Sequence, residues 1–268
     1  MILGPIEAAP APGEGWPRSL LLLTERFPPH PGGLARASRR LARHAASAGV
    51  AVHVVVTRAE GLPGSVQSAP DDEGGFWVHR FGAERATPEG MQQLSLVLDW
   101  LHRREHFEVV HGQYGSTCGF LAAWHATLWG IASHVSLRGN DLDRDLYDPE
   151  RLAALTWALE RAGSVGAVSR QLAAAAGNLV RRKVLAMPNA VDLRVFRPVD
   201  DAAQFRTSLA LGTGPVLGFA GEVRRKKGIG YLLEAFRSTE RSHPEAVLLL
   251  VGSIRPEERE LLEGFIRQ

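Results

Sequence analysis

Apolar runs and amphipathic segments alternate along most of this chain. The run Ser19–Thr24 (SLLLLT) reads as a buried strand, followed by the turn Glu25–Gly33 (ERFPPHPGG). From there Leu34, Ala37, Leu41, Ala45 and Ala48 recur at helical spacing, and Gly49 suits the helix end. Val50–Thr57 (VAVHVVVT) is a second strand and completes a βαβ unit. The pattern then predicts strands over 76–81, 107–111, 131–137, 164–168 and 184–187. Between them it predicts helices over 88–105, 116–129, 149–161 and 171–179. Residues 58–75, rich in Gly, Pro, Ser and Asp, read as a mobile loop. Such alternation implies an α/β fold with a doubly wound parallel sheet and a ligand site at the carboxyl ends of its strands.

The pattern breaks over 198–214, which reads as a linker with one short helix. It restarts with strand 216–220, helix 229–239, strand 246–251 and helix 256–267. The expected organisation is a loose tail over 1–18, a domain over 19–197, the linker 198–214 and a second domain over 215–268. Two clear strands are few for an independent domain, since one of that size buries only about 60% of its chain surface. The second domain is therefore expected to be incomplete and the sequence truncated.

Composition narrows the class. The 268 residues are 45% apolar and 22% charged, as in an ordinary globular protein, and the net charge of +2 argues for no nucleic-acid partner. Cys118 is the single cysteine, so no intramolecular disulfide exists and a reducing, cytoplasmic compartment is expected. No run is long enough for a membrane span.

Several stretches carry candidate chemistry. In Val216–Phe236 (VLGFAGEVRRKKGIGYLLEAF) a strand is followed by Arg224, Arg225, Lys226 and Lys227, and Gly228 opens a helix. A helix start has unpaired N–H groups and a positive dipole end, so an anion such as a diphosphate suits it; a solvated basic loop is the plainer reading. PPHPGG over 28–33 places Gly32 and Gly33 where a ligand can approach backbone N–H groups, or where the chain simply turns. Neither a dinucleotide fingerprint nor a Walker A loop is present. Arg36, Arg39, Arg40 and Arg43 share one helix face, which suits solvent, an anionic acceptor or a membrane surface.

His111 ends a predicted strand, with Gln113 and Tyr114 in its turn, and is a candidate catalytic group. Arg138–Asp145 (RGNDLDRD) follows another strand; Arg138 and Asp141 there face a hydroxyl-rich ligand, or the stretch is a charge-paired loop that caps the next helix. Asp141-Leu142-Asp143 matches the D-x-D pattern of metal-dependent glycosyltransferases, a three-residue match that arises easily by chance. His102 and His106 have metal-ligand spacing but no third ligand, and Cys118 lacks the surroundings of a nucleophile.

Taken together, PPHPGG, FEVVH (107–111), SVGAVSR (164–170), MPNAVDLRVFRP (187–198) and GEVRRKKGIGYLLEAF resemble the family-four retaining glycosyltransferases of the GT-B fold, the glycosyl transferases group 1. The fourth stretch resembles the family's I-P-N-G-V-D-x-x-x-F-x-P. The resemblance implies two Rossmann-like domains and a nucleoside-diphosphate-sugar donor, of UDP or GDP type, in the cleft between them. Gly32 and Gly33 match the family's glycine turn, and Lys227 and Gly228 its K-G pair, both at the donor diphosphate. No metal and no cofactor are expected. The acceptor is an unknown carbohydrate, lipid or small molecule, and many family members act at the inner face of the membrane.

The chain departs from the pattern at named positions. Gly221-Glu222 stands where the family has Gly-Arg, which moves the second cation to Arg224 or Arg225, with Arg224 favoured. His111-Gly112-Gln113 replaces H-x-H, Arg138-Gly139 replaces His-Gly, and Asn189-Ala190 replaces Asn-Gly. The family's E-x7-E segment would lie beyond Gln268, so the piece in hand is expected to be inactive or nearly so. The rival readings are a GT-B-shaped sugar-nucleotide epimerase, which needs no acceptor, and a non-catalytic sugar or lipid-head-group binding fragment.

Overall fold

The computed structural model describes residues 14–72, 74–82, 87–198 and 202–267; most of the predicted tail and part of the predicted linker lie outside them. The described chain forms two compact units, Met1–Ala190 and Val191–Gln268.

Unit 1 is built on β1 (Ser19–Thr24), α1 (Gly33–Ser47), β2 (Ala51–Ala59), β3 (Val66–Pro70), β4 (Trp77–Gly82), α2 (Pro88–Glu105) and β5 (Val109–Gln113). A π-type turn over Gly115–Gly119 leads into α3 (Phe120–Trp129), then β6 (Ala132–Leu137), α4 (Asn140–Asp145), α5 (Pro149–Arg161), β7 (Ser164–Ala167), α6 (Arg170–Val180) and β8 (Leu185–Ala186). The sheet order is β3-β4-β2-β1-β5-β6-β7-β8, parallel except for the β3–β4 pair. Leu21, Leu22 and Leu23 of β1 are fully buried, because helices cover both faces of a central parallel strand and leave no solvent side for a polar residue. Leu20 and Leu22 pack with Val52, Val54, Ala42 and Ala45 on the α1 face. Leu21 and Leu23 pack with Leu94, Leu98 and Leu121 on the opposite face.

Two predicted loops are corrected. Residues 58–75 contain β3, an antiparallel edge strand against β4. Its sequence, VQSAP, has no apolar alternation and a proline, which an edge tolerates. The polar stretch after β6 coils into the short helix α4, begun by Gly139 at φ 117°.

Unit 2 holds α7 (Ala202–Ser208), β9 (Val216–Ala220), α8 (Ile229–Ser242), β10 (Val247–Val251) and α9 (Pro256–Ile266). β9 and β10 pair in parallel, and Val223, Ile229, Leu233 and Leu262 form a small core beside them. Among the described residues no helix is long and apolar enough to cross a membrane.

Candidate functional site

In unit 1 the candidate residues collect at the carboxyl ends of β1, β5 and β6. After β1 the chain turns through Phe27, which is fully buried against the edge of Phe76. Arg80 donates to the Pro28 carbonyl at 2.6 Å and pins the turn. Gly32 then takes φ 126° and ψ 165°, a conformation open essentially to glycine alone, and precedes the first turn of α1 without a side-chain cap. A Cβ built on Gly32 or Gly33 would meet nothing within 4 Å. The space beside both glycines at this helix start is therefore open.

The opposite side of α1 is tied to the sheet. Ser38 Oγ lies 2.6 Å from Gln113 Oε1, 3.1 Å from Thr24 Oγ1 and 2.9 Å from the Leu34 carbonyl. Gln113, where the resembling family carries a second histidine, is thus a buried connector between β5 and α1. Ser38 was missed from sequence; a serine within the apolar stripe of α1 was the available signal.

His111 lies two residues before the end of β5, on the same sheet face as Gln113. Its Nε2 is 2.8 Å from Ser136 Oγ, and its ring meets that of His134 edge-on at 4.7 Å. Burial, then His134 and Arg138, hold its pKa well below the ordinary histidine value, so the ring is neutral at pH 7. Nδ1 has no partner among the described residues. The next residue but two, Tyr114, takes φ 75°, an uncommon conformation for a side chain of that size, at the strand exit.

Asp141 is buried at the start of α4. It accepts from the N–H groups of Arg138 (2.6 Å), Gly139 (3.1 Å) and Gly115 (2.8 Å). Burial raises its pKa to about 6, while those backbone bonds pull the other way. The carboxylate joins the loop after β6 to the loop after β5, with both oxygens engaged. Asp143 is exposed, two residues along the helix, so the D-x-D carboxylates diverge. Arg138 Nη2 donates to Asn189 Oδ1 at 2.9 Å, which ties the same loop to the segment after β8.

The remaining sequence candidates have structural surroundings. His102 stacks on Trp129 with ring centroids 4.2 Å apart, and His106 ends α2 in a left-handed conformation. Among the described residues no cluster of His, Cys, Asp and Glu is arranged to hold a metal ion. Cys118 is buried, and burial pushes its thiol far above the usual range. In the arginine stripe, Arg39 pairs with Asp71 at 2.9 Å and Arg40 donates to the Ala190 carbonyl.

Unit 2 carries the basic turn. After β9, Glu222 forms ion pairs with Arg224 at 3.2 Å and Arg255 at 3.0 Å. Arg224 is therefore partly neutralised, and its Nε is buried without a hydrogen-bond partner. Arg225–Lys227 forms a single 3-10 turn, and Gly228 at φ 72° redirects the chain into α8 without a side-chain cap. The carboxylate of Glu258 accepts from the Arg225 N–H and fixes the turn to α9. Lys227 is exposed, and its ammonium has no partner among the described residues. A positive charge and an uncapped helix start occur together here.

Comparison with known proteins supplies the wider frame. The model of the glycosyl transferase 4-like domain matches residues 32–190. Sucrose-phosphate synthase from Thermosynechococcus elongatus is similar in structure, with TM-score 0.69 and 21% identity over 93% of this chain and 67% of that one. HepE of Anabaena, solved in complex with UDP, gives TM-score 0.66 and 16% identity over 93% of this chain and 65% of that one. A UDP-GlcNAc 2-epimerase from Methanocaldococcus jannaschii gives TM-score 0.56 and 12% identity, over 92% of this chain and 68% of that one. The chain thus spans about two thirds of the length of these structures, and at such identities the likeness is one of fold. No curated protein matches the chain in sequence.

Proposed function

This chain belongs to the glycosyl transferase 4-like family, of GT-B fold, and we propose that it binds a nucleoside-diphosphate sugar and serves transfer of the sugar to an acceptor hydroxyl with retention. The observation that carries the reading is the basic turn of unit 2. There the Lys227 ammonium, without a partner among the described residues, stands beside the uncapped start of α8. In glycosyl transfer the bond from the anomeric carbon to the diphosphate oxygen breaks, and negative charge grows on the departing nucleotide. A fixed cation and helix N–H groups at that oxygen stabilise this charge more in the transition state than in the ground state. We assign the donor diphosphate to Lys227 and Gly228, with Arg224 as a weaker contributor because Glu222 shares its charge.

In unit 1 we assign phosphate contact to the backbone at Gly32 and Gly33. The anomeric carbon becomes oxocarbenium-like while the acceptor hydroxyl attacks, and the neutral His111 is assigned to the hydroxyl groups at the reacting centre. Asp141 is a positioning residue: its oxygens hold the loops after β5 and β6, and through them Arg138. The donor assignment to a uridine or guanosine diphosphate sugar draws on the UDP bound in HepE. Unit 1 is assigned to the acceptor and unit 2 to the donor, with the reaction in a reducing compartment.

The test is incubation with UDP-glucose and with GDP-mannose, each with and without a panel of sugar and lipid acceptors. The expected result is binding of one of the donors, and any nucleotide release that occurs is expected to depend on acceptor and to give an α-configured product. A β-configured product would refute retention. A donor epimerised without acceptor would favour the epimerase reading, which the similarity to a UDP-GlcNAc 2-epimerase makes worth including. Binding of neither donor would overturn the proposal.

A further inference from the structure

Several cations of unit 1 are matched with carboxylates on the protein itself. Arg18 meets Glu108, Arg39 meets Asp71, Arg58 meets Glu25, Arg103 meets Asp99 and Arg151 meets Asp145 and Asp148. The far edge of the sheet gathers cations that are not. α6 ends where Arg181 takes a left-handed conformation, φ 51°, and the chain doubles back along the helix into β8. Gly177 permits the return, since a Cβ there would come 3.0 Å from the Arg182 carbonyl oxygen.

Between helix and returning strand lies an open groove of about 540 Å³. Ala173, Ala174 and Gly177 line it, with Arg170, Asn178, Arg181, Arg182 and Lys183, and no carboxylate is among the lining residues.

The four cations divide into two roles. Arg182 is structural: its guanidinium donates to the carbonyls of Leu159 (2.7 Å) and Ala162 (2.8 Å) at the end of α5, and so fixes the turn. Its charge nevertheless stays at the groove. Arg170, Arg181 and Lys183 have no side-chain partner among the described residues. Arg181 and Lys183, brought together by the turn, repel one another; the negative end of α6 offsets part of that cost, and no carboxylate among the lining residues does. The helix face beneath them carries only small side chains, which leaves room for a ligand against the backbone. Leu179, Leu185 and Met187 are exposed nearby, an apolar margin to a cationic centre.

We propose that this groove between α6 and β8 is a second anion site, for a ligand that bears a phosphate group. Guanidinium and ammonium donors converging without a carboxylate suit the several oxygens and double charge of a phosphate better than a single carboxylate. The groove is built from the edge of unit 1, and none of its residues belongs to the glycine turn or the basic turn. It therefore stands independently of the donor assignment. Its ligand is either the phosphate of an anionic lipid at a bilayer surface, which the exposed leucines and Met187 would enter, or a soluble phosphate ester. The test has an arm for each source.

The full chain is titrated with phosphatidylcholine vesicles containing 30% phosphatidylglycerol, with pure phosphatidylcholine vesicles, and with glycerol phosphate. The variant Arg170→Gln/Arg181→Gln/Lys183→Gln is compared with a charge-matched control, Arg18→Gln/Arg103→Gln/Arg104→Gln. Wild type and control are expected to bind the anionic vesicles, glycerol phosphate or both. The groove variant should bind the same probe at least tenfold more weakly, and the probe that responds identifies the source. Ala174→Glu places one carboxylate in the groove at an exposed helix position and should weaken binding in the same direction without disturbing the fold. Equal binding by wild type and both groove variants would overturn the proposal, as would equal loss in the control or no binding of any probe by wild type.

Discussion

The two turns that carry the candidate chemistry present a helix start to solvent by different means. In unit 1 the glycine turn relies on backbone: Gly32 adopts a conformation that side chains avoid, and the space above Gly32 and Gly33 is empty of protein atoms. In unit 2 the basic turn relies on side-chain charge: Lys227 stands beside Gly228, and Glu222 restrains Arg224. A bare helix start offers direction and a partial positive charge, whereas an ammonium offers a full charge on a flexible stem. The difference teaches that a sequence change should act mainly on geometry in the first turn and mainly on charge in the second.

The sharpest way to break this contrast is Lys227→Ala. In a form of the protein that carries out transfer, it should lower kcat/KM by roughly a hundredfold or more, as loss of transition-state charge stabilisation does, with the melting temperature unchanged because the side chain is exposed. A similar rate would remove Lys227 from the site.

Acid should separate the units next. The neutral buried histidines all lie in unit 1: burial lowers His53 to about 3, with His79 and Arg104 adding to it, and lowers His79 and His125 to about 4. The unfolded chain takes up their protons near the ordinary value of 6.5 and the folded one does not. Stability is therefore full above that value and falls as pH drops towards 3–4, by about 2 kcal/mol from His53 alone at pH 5. Asp141 opposes this, since its raised pKa of about 6 relieves a burial cost as pH falls from 6 towards 3.8, but it is one group against several. Thermal melts between pH 7.5 and 5 should show unit 1 weakening while unit 2, with only the exposed His243, holds. Parallel loss in both units would contradict the assignment.

At the glycine turn, Gly32→Val should destabilise unit 1 by about 1–3 kcal/mol through backbone strain and weaken nucleotide binding together. Gly33→Ala, at an ordinary helical position, should change stability by less than about 0.5 kcal/mol. Denaturant unfolding distinguishes the two. The smallest effect belongs to Glu222→Gln, which should release Arg224 and tighten nucleoside-diphosphate binding by a few-fold, measured by calorimetry. Weaker binding would show that Glu222 holds the turn in shape instead.

Much of the fold was legible because buried parallel strands are unbroken apolar runs and their covering helices carry a repeating stripe. β1 and α1 show both signals. β3 was hidden, since an edge strand with one partner tolerates VQSAP and so carries no alternation to read. At the candidate site, glycines and clustered cations marked where both turns fall. The surroundings of Asp141 did not show, because its partners are main-chain N–H groups that any residue supplies. The pairing of Glu222 with Arg224 and Arg255 joins residues from two separate turns, a relation that only folding creates.

The most direct test of the central claim is calorimetric titration of UDP, and separately of uridine, into wild type and Lys227→Ala. The account predicts that UDP binds wild type at least tenfold more tightly than it binds the variant, while uridine, which lacks the diphosphate, does not distinguish the two proteins. Equal UDP affinity for both proteins would contradict a diphosphate site at the basic turn.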